Sequence, residues 1–182
     1  VSDRMGIDKL TKWADTFGLS SKTGIELPGE VTSHVANQQV LYDNTKEING
    51  GQLNSKPYLV RLSVEKQLKK YGLMRGVTYT DEQVERCATR IVQLVGTSTN
   101  IGPQIRSIMR EELDIPESTS YARRWHQEIN SILYEITWNR VQTILTGIGQ
   151  SVTAVTPIAV ARYIAAIANG GNVYEASIIK KV

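Results

Sequence analysis

The segment Gly147–Gly171, GIGQSVTAVTPIAVARYIAAIANGG, constrains the fold more than any other, because it encodes a helix with a marked start, a marked stop and almost no polar face. Thr156 is placed to act as N-cap, and Pro157 falls at the first helical position, where its missing N–H costs nothing and its fixed φ already suits a helix. Asn169-Gly170-Gly171 supplies residues that tolerate the left-handed backbone of a helix C-terminus. Between these signals Ile158, Val160, Ala161, Ile164, Ala165, Ile167 and Ala168 leave little polar surface beyond Arg162 and Tyr163. The helix is therefore expected to be buried on most sides, inside a larger domain.

Size and composition permit such a domain. The chain has 182 residues, 41% hydrophobic and 21% charged, which places it among ordinary globular proteins with room for one domain or a small domain plus part of another. A net charge of +3 is too modest to imply nucleic acid. Cys87 is the single cysteine, so no intrachain disulfide can form and a thiolate metal site would need a second chain. No signal peptide is visible at Val1, and the longest apolar tract, Val152 to Ala168, contains Pro157 and Arg162 and is shorter than the roughly 20 residues a bilayer demands. Val173 to Val182, VYEASIIKKV, is rich in β-branched residues and reads as one strand with nothing after it to pair, as expected of a piece of a longer protein.

Helical periodicity dominates elsewhere. Ile7, Leu10, Trp13, Ala14 and Phe17 recur at spacings of three and four, with Gly18 as a stop, and predict a short amphipathic helix. Leu19 to Glu30 is a connector rich in turn residues, and Val31 to about Asn54 reads as a loop. Helices are expected over Tyr58 to Tyr71, after the capping-box spacing Thr80-Asp-Glu-Gln83, over Ile101 to Leu113, and as one longer element from Tyr121 to Ile136. Short loops between such helices imply a small bundle.

Several segments carry a family likeness. Met5-Gly-Ile-Asp-Lys-Leu10 through Thr16-Phe-Gly18, Thr23-Gly-Ile-Glu-Leu-Pro-Gly-Glu30, Gly149-Gln150, Thr156-Pro157 and Ala165-Ala-Ile-Ala-Asn-Gly-Gly171 occur in an order that resembles the transpeptidase domain of class B penicillin-binding proteins. In that family the gap between the Leu-Pro-Gly-Glu turn and the Gly-Gln segment is much shorter than here. The resemblance thus implies three parts: residues 1–30 and 146–182 as pieces of the transpeptidase domain, and residues 31–145 as a helical insertion of domain size. The expected fold class is mainly α, with the insertion joined to helices and one strand of a serine transpeptidase, β-lactamase-like α/β domain.

The resemblance further implies a serine D,D-transpeptidase that cross-links peptidoglycan stem peptides, takes peptidoglycan precursor and β-lactams, needs no cofactor, and lies on the extracytoplasmic face of a bacterial membrane, anchored by a segment absent from this chain. Its chemistry requires a Ser with Lys three residues later, a Ser-x-Asn segment and a Lys-Thr-Gly strand. Ser63-Val-Glu-Lys66, Ser98-Thr-Asn100 and Lys22-Thr-Gly24 match these patterns in letters only. With 13 Ser and 10 Lys, chance alone yields about 0.7 Ser-x-x-Lys spacings. The order is also wrong, since the family runs Ser-x-x-Lys, Ser-x-Asn, Lys-Thr-Gly, and here Lys22-Thr-Gly24 comes first. No catalytic, cofactor-binding or metal residue is therefore assigned within this chain, and the family's motifs are expected upstream of Val1 and downstream of Val182.

Other candidates have plainer readings. His34 and His126 stand apart from ligand clusters, Glu111-Glu112 with Asp114 and Glu117 fits a solvated helix end, and Trp125, Tyr134 and Trp138 fit core packing. Lys66, Lys69, Lys70 and Arg75, and separately Arg123-Arg124, form basic patches. Residues 31–145 carry 14 basic and 12 acidic residues, which favours a solvated face over nucleic acid and leaves anionic cell-wall polymers or lipid headgroups as a weaker alternative. A second reading of the whole is a helical module that docks cell-wall assembly proteins through the insertion.

Overall fold

A computed structural model describes residues 1–179. Its helices in chain order are α1 (Ser2–Met5), α2 (Ile7–Thr16), α3 (Gln38–Leu41), α4 (Lys56–Met74) and α5 (Asp81–Val92). Then follow α6 (Gly102–Leu113), α7 (Glu117–Ala122), α8 (Trp125–Leu133), a 3-10 turn at Tyr134–Ile136, α9 (Arg140–Gly147) and α10 (Pro157–Ala168). They belong to two compact units, Leu41–Trp138, and Val1–Val40 together with Asn139 onward.

The central unit, Leu41–Trp138, is a helical bundle around one apolar core. Every third or fourth residue of α4 points inward: Val60, Val64, Leu68 and Tyr71 are buried. They meet Val84, Cys87, Ala88 and Ile91 of α5, Ile105 and Met109 of α6, and Ile129 and Leu133 of α8. Each large side chain so buried stabilises the bundle by about 1.5–3 kcal/mol. Helix α5 starts on a complete capping box, with the Gln83 N–H donating to Thr80 Oγ1 and the Thr80 N–H donating to Gln83 Oε1. Tyr71 stacks on Trp125 with ring centroids 4.3 Å apart, and its hydroxyl donates to Glu128 at 2.8 Å, which ties α4 to α8. Arg61, almost wholly buried, reaches Glu65 at 2.8 Å and Glu85 at 2.7 Å. Glu112 receives Arg86 at 2.5 Å and Arg90 at 2.6 Å, so the acidic run on α6 is an inter-helix tie to α5.

The terminal unit, Val1–Val40 with Asn139 onward, is built differently. Among the described residues its only β feature is one antiparallel bridge, in which His34 and Ala154 exchange backbone bonds of 2.6 and 2.8 Å. Next to it Ser33 Oγ accepts the Thr156 N–H at 2.9 Å and the Ala36 N–H donates to Thr153 Oγ1 at 3.0 Å. Helix α1 packs on α9 so closely that a Cβ on Gly147 would collide with the Ser2 side chain.

Four expectations are corrected here. The α/β part of the expected fold is not formed: the chain is mainly helical, and among the described residues there is no sheet. The strand expected over Val173 to Val182 is irregular as far as Ile179, and Lys180–Val182 lie outside the described residues. The physical reason is a missing ladder, because a lone extended segment leaves its backbone groups unpaired, and among the described residues this one finds a single main-chain partner, the Ala176 N–H donating to Thr23 O at 2.9 Å. Helix α10 begins at Thr156 and Pro157 as expected, with the Ala159 N–H on Thr156 Oγ1, but it is not buried on most sides. Only Ala159 and Ala166 are buried in it, while Ile164 and Ile167 are 58% and 56% exposed. The long helix expected from Tyr121 to Ile136 is broken at Arg123-Arg124, where Arg124 takes a left-handed conformation with φ of 56° and α8 starts afresh.

Candidate functional site

The segments with a family likeness meet in the terminal unit, where polar clasps rather than a core hold them. Arg162, the one charged residue of α10, donates from Nη1 to Lys22 O at 2.9 Å and from Nη2 to Ser21 O at 2.9 Å, to Ser21 Oγ at 2.8 Å and to Gly18 O. A side chain at Gly18 would collide with this guanidinium, and its φ of 74° is itself a glycine conformation. Tyr163 meets Phe17 edge to face at 5.7 Å. These contacts seat α10 against the end of α2 and form one wall of a cleft of about 360 Å³ lined by Leu10, Trp13, Phe17, Val35, Val155 and Tyr163. The cleft is mostly apolar: its polar side chains are the hydroxyls of Thr146, Thr153 and Tyr163, and no carboxylate, amine, imidazole or thiol lines it.

The turn Thr23–Glu30 closes on itself. Glu30 Oε1 accepts the Thr23 N–H at 2.5 Å and the Thr23 hydroxyl at 2.7 Å, and Oε2 accepts the Gly24 N–H at 3.3 Å. Those donors, the Thr23 N–H foremost, hold the Glu30 carboxyl below its ordinary range. Glu26 does the same for the following segment: it accepts the Ser177 hydroxyl at 2.5 Å and the Ile178 N–H at 3.2 Å, and its pKa is lowered chiefly by Ser177. At the other end of the unit Asp3 takes both Nε and Nη2 of Arg140 at 2.6 Å, and that fork lowers the Asp3 pKa.

The three catalytic-looking motifs are divided between the two units. Lys22-Thr23-Gly24 is the clasped turn just described. Ser63 lies on α4 of the central unit and spends its hydroxyl on Leu59 O at 3.1 Å, four residues back along the helix. Ser98 accepts the Asn100 N–H at 3.3 Å in a local turn. A serine nucleophile needs a base within hydrogen-bond reach. Among the described residues no serine hydroxyl is bonded to a lysine or histidine. Sequence reading overlooked a second Ser-x-x-Lys spacing, Ser177 to Lys180; Ser177 is the Glu26 partner and Lys180 lies outside the described residues.

The remaining candidates are structural. His34 forms the β-bridge, and His126 is buried with Nδ1 at 3.2 Å from Ser120 O. Trp125 is buried in the core, whereas Tyr134 is 57% exposed and is not the core residue its spacing implied. Burial pushes the Cys87 thiol up to about 12, which keeps it an unreactive core residue at neutral pH. Among the described residues no group of three or more His, Cys, Asp or Glu is placed to hold a metal ion, and no helix is long and apolar enough to cross a membrane.

No curated relative matches the chain, and no solved structure matches it. The segments Met5–Gly18 and Thr23–Glu30 carry the likeness on their letters alone. For the C-terminal third the comparison is explicit: residues 124–182, from the start of α8 through α10 and beyond, match the family model described as the penicillin binding protein transpeptidase domain.

Proposed function

We propose that this chain is an internal portion of a class B penicillin-binding protein, a peptidoglycan D,D-transpeptidase that cross-links stem peptides through a serine acyl-enzyme. The match of residues 124–182 to the transpeptidase family carries the reading. In it, residues 1–30 and 146–182 are scaffold of the transpeptidase domain, residues 31–145 are a helical insertion whose last stretch, 124–145, already falls within the family match, and the nucleophile and its partners come from residues outside the chain. The local bonds of Ser63 and Ser98 support the last point, since among the described residues neither hydroxyl is bonded to a lysine or histidine that could activate it. The intact parent takes peptidoglycan precursor and β-lactams, and works on the extracytoplasmic face of the bacterial membrane, held there by an anchor outside this chain. Fluorescent penicillin, which labels active-site serine covalently, is expected to label the parent and not the 182-residue chain. Stoichiometric labelling of the chain would show that one of its own serines is the nucleophile.

A second reading rests on the closed core of Leu41–Trp138, which needs nothing from the flanking segments to bury its apolar residues. Under it the helical part docks proteins of the cell-wall assembly machinery while catalysis proceeds elsewhere in the parent. Removal of residues 31–145 from the parent is then expected to lower recovery of those proteins. Equal recovery with and without them counts against it.

A further inference from the structure

Helix α4 has two apolar faces, and the bundle uses only one. Val60, Val64, Leu68 and Tyr71 are inside. On the opposite side Leu59 is 55% exposed, Leu62 38%, Leu73 72% and Met74 52%. At 100° per residue Leu59, Leu62, Lys66, Lys70 and Leu73 fall within one third of the helix circumference, a stripe about 20 Å long. The cations in and beside it are Lys66, Lys69 and Lys70, all exposed. Their acidic neighbours are accounted for: Asp81 at the start of α5 holds Lys69 at 2.6 Å, and Glu65 and Glu85 are turned to Arg61. Among the described residues neither Lys66 nor Lys70 has an ion-pair partner, and the stripe contains no acid.

From this pattern we propose that the outer face of α4 is a docking surface for an anionic lipid bilayer. Leucines interleaved with lysines along one stripe are the composition of a helix lying in the plane of a headgroup layer. Leu59, Leu62 and Leu73 enter the acyl boundary, and the long lysine stems let the ammonium groups reach lipid phosphates beside them. An acid-free stripe is what charge complementarity to such a surface requires. The core face of α4 stays packed, so the bundle docks as a folded body rather than by unrolling. The inference is independent of the transpeptidase reading, because it uses residues of the central unit alone.

The test is co-sedimentation of the whole chain with vesicles of phosphatidylglycerol mixed with phosphatidylcholine, against phosphatidylcholine alone. Binding is expected only to the anionic vesicles and is expected to weaken with salt. Reversing both unpaired cations, Lys66→Glu with Lys70→Glu, is expected to weaken binding by at least about twentyfold, on the scale of one polybasic contribution per lysine. Leu59→Ser with Leu73→Ser should lower it to the same degree, with an unchanged thermal melt showing that the bundle is intact. A nitroxide on Ser63→Cys should be shielded from aqueous quencher when vesicles are present, the native Cys87 being buried and out of its reach. No binding to anionic vesicles at low salt overturns the proposal. So does binding that survives both double variants but is lost in Ile164→Ser with Ile167→Ser, which would place the contact on α10. Self-association abolished by the leucine pair, without any vesicle binding, would make the stripe a contact between two copies and overturn it equally.

Discussion

The central and terminal units hold themselves together by different physics. The central unit buries leucine, isoleucine, valine, tyrosine and tryptophan side chains in one continuous cluster. Among the described residues of the terminal unit the buried apolar ones are Ala36, Ala159 and Ala166, with no larger apolar side chain among them. Its order comes from directed polar contacts: Arg162 on carbonyls, Glu30 on Thr23, Asp3 on Arg140 and the His34–Ala154 bridge. A hydrophobic core is non-directional and worth tens of kcal/mol in sum, whereas exposed polar contacts contribute about 0–1 kcal/mol each. The bundle therefore behaves as a domain in its own right, and the terminal segments as a unit held by directed contacts.

The contrast can be broken most directly by Leu68→Ala, which removes a fully buried side chain from α4 and is expected to cost the central unit about 2–5 kcal/mol by chemical denaturation. The matching truncation on the exposed side of α10, Ile167→Ala, should leave the same transition within about 0.5 kcal/mol. If the two variants behaved alike, the units would not be energetically distinct. Cys87 gives a second measure. Its thiol, raised by burial to about 12, should react with a disulfide reagent at pH 8 at least about a hundredfold slower than a free cysteine. Because the folded pKa lies above the unfolded one, the stability tied to this thiol is full below the ordinary thiol pKa and is lost as pH rises toward about 12. Alkaline denaturation in that window, followed on wild type and Cys87→Ala, reads the loss as a narrowing of their stability difference from the constant value it holds near neutrality, where it reports packing alone.

The paired caps sharpen the comparison further. Thr80→Ala is expected to destabilise the central unit by about 1 kcal/mol, visible in its cooperative transition. The same change at Thr156 removes an equivalent bond from α10 but should appear as faster amide exchange at Ala159 without moving that transition. The smallest effect belongs to Glu30. Its folded pKa is lowered by the Thr23 N–H, so its clasp holds above the ordinary carboxylate range and is lost as pH falls through the lowered value. Amide exchange at Thr23, corrected for intrinsic rate, should accelerate on that acid side, and Glu30→Gln should abolish the pH dependence.

Much of the central bundle was legible because its signals are local. The Thr80–Gln83 box and the stripes of α5 and α6 depend on neighbours within a few turns, and the structure has them where the spacing requires, whereas on α4 Leu59 and Leu62, which the spacing groups with Leu68 and Tyr71, face outward and Val60 and Val64 take the core. The break at Arg123-Arg124 was not legible, since neither glycine nor proline marks it and an arginine in the left-handed region gives no compositional warning. The burial of α10 failed for the opposite reason. Its sequence reports how apolar its surroundings must be to cover Ile164 and Ile167, and the described residues leave both exposed. The strand at Val173 failed likewise, because strand propensity becomes a strand only beside a partner. As to the site, the letters of Ser63-Val-Glu-Lys66 could not show that its hydroxyl is occupied by Leu59 O; that depends on a side-chain rotamer.

The Arg162 clasp has a consequence for how the molecule is made. Its guanidinium bonds to Gly18, Ser21 and Lys22, 140 to 144 positions earlier in the sequence, with the whole helical bundle encoded between the two. During synthesis the turn after α2 emerges from the ribosome long before its ligand exists, so it must wait, unclasped, while the bundle collapses on its own nearby contacts. Folding of the bundle then shortens the effective tether between the waiting turn and α10, which lowers the entropy lost when they finally join. The intervening helices thus set the order of assembly: the centre first, and the two ends of the chain last and together.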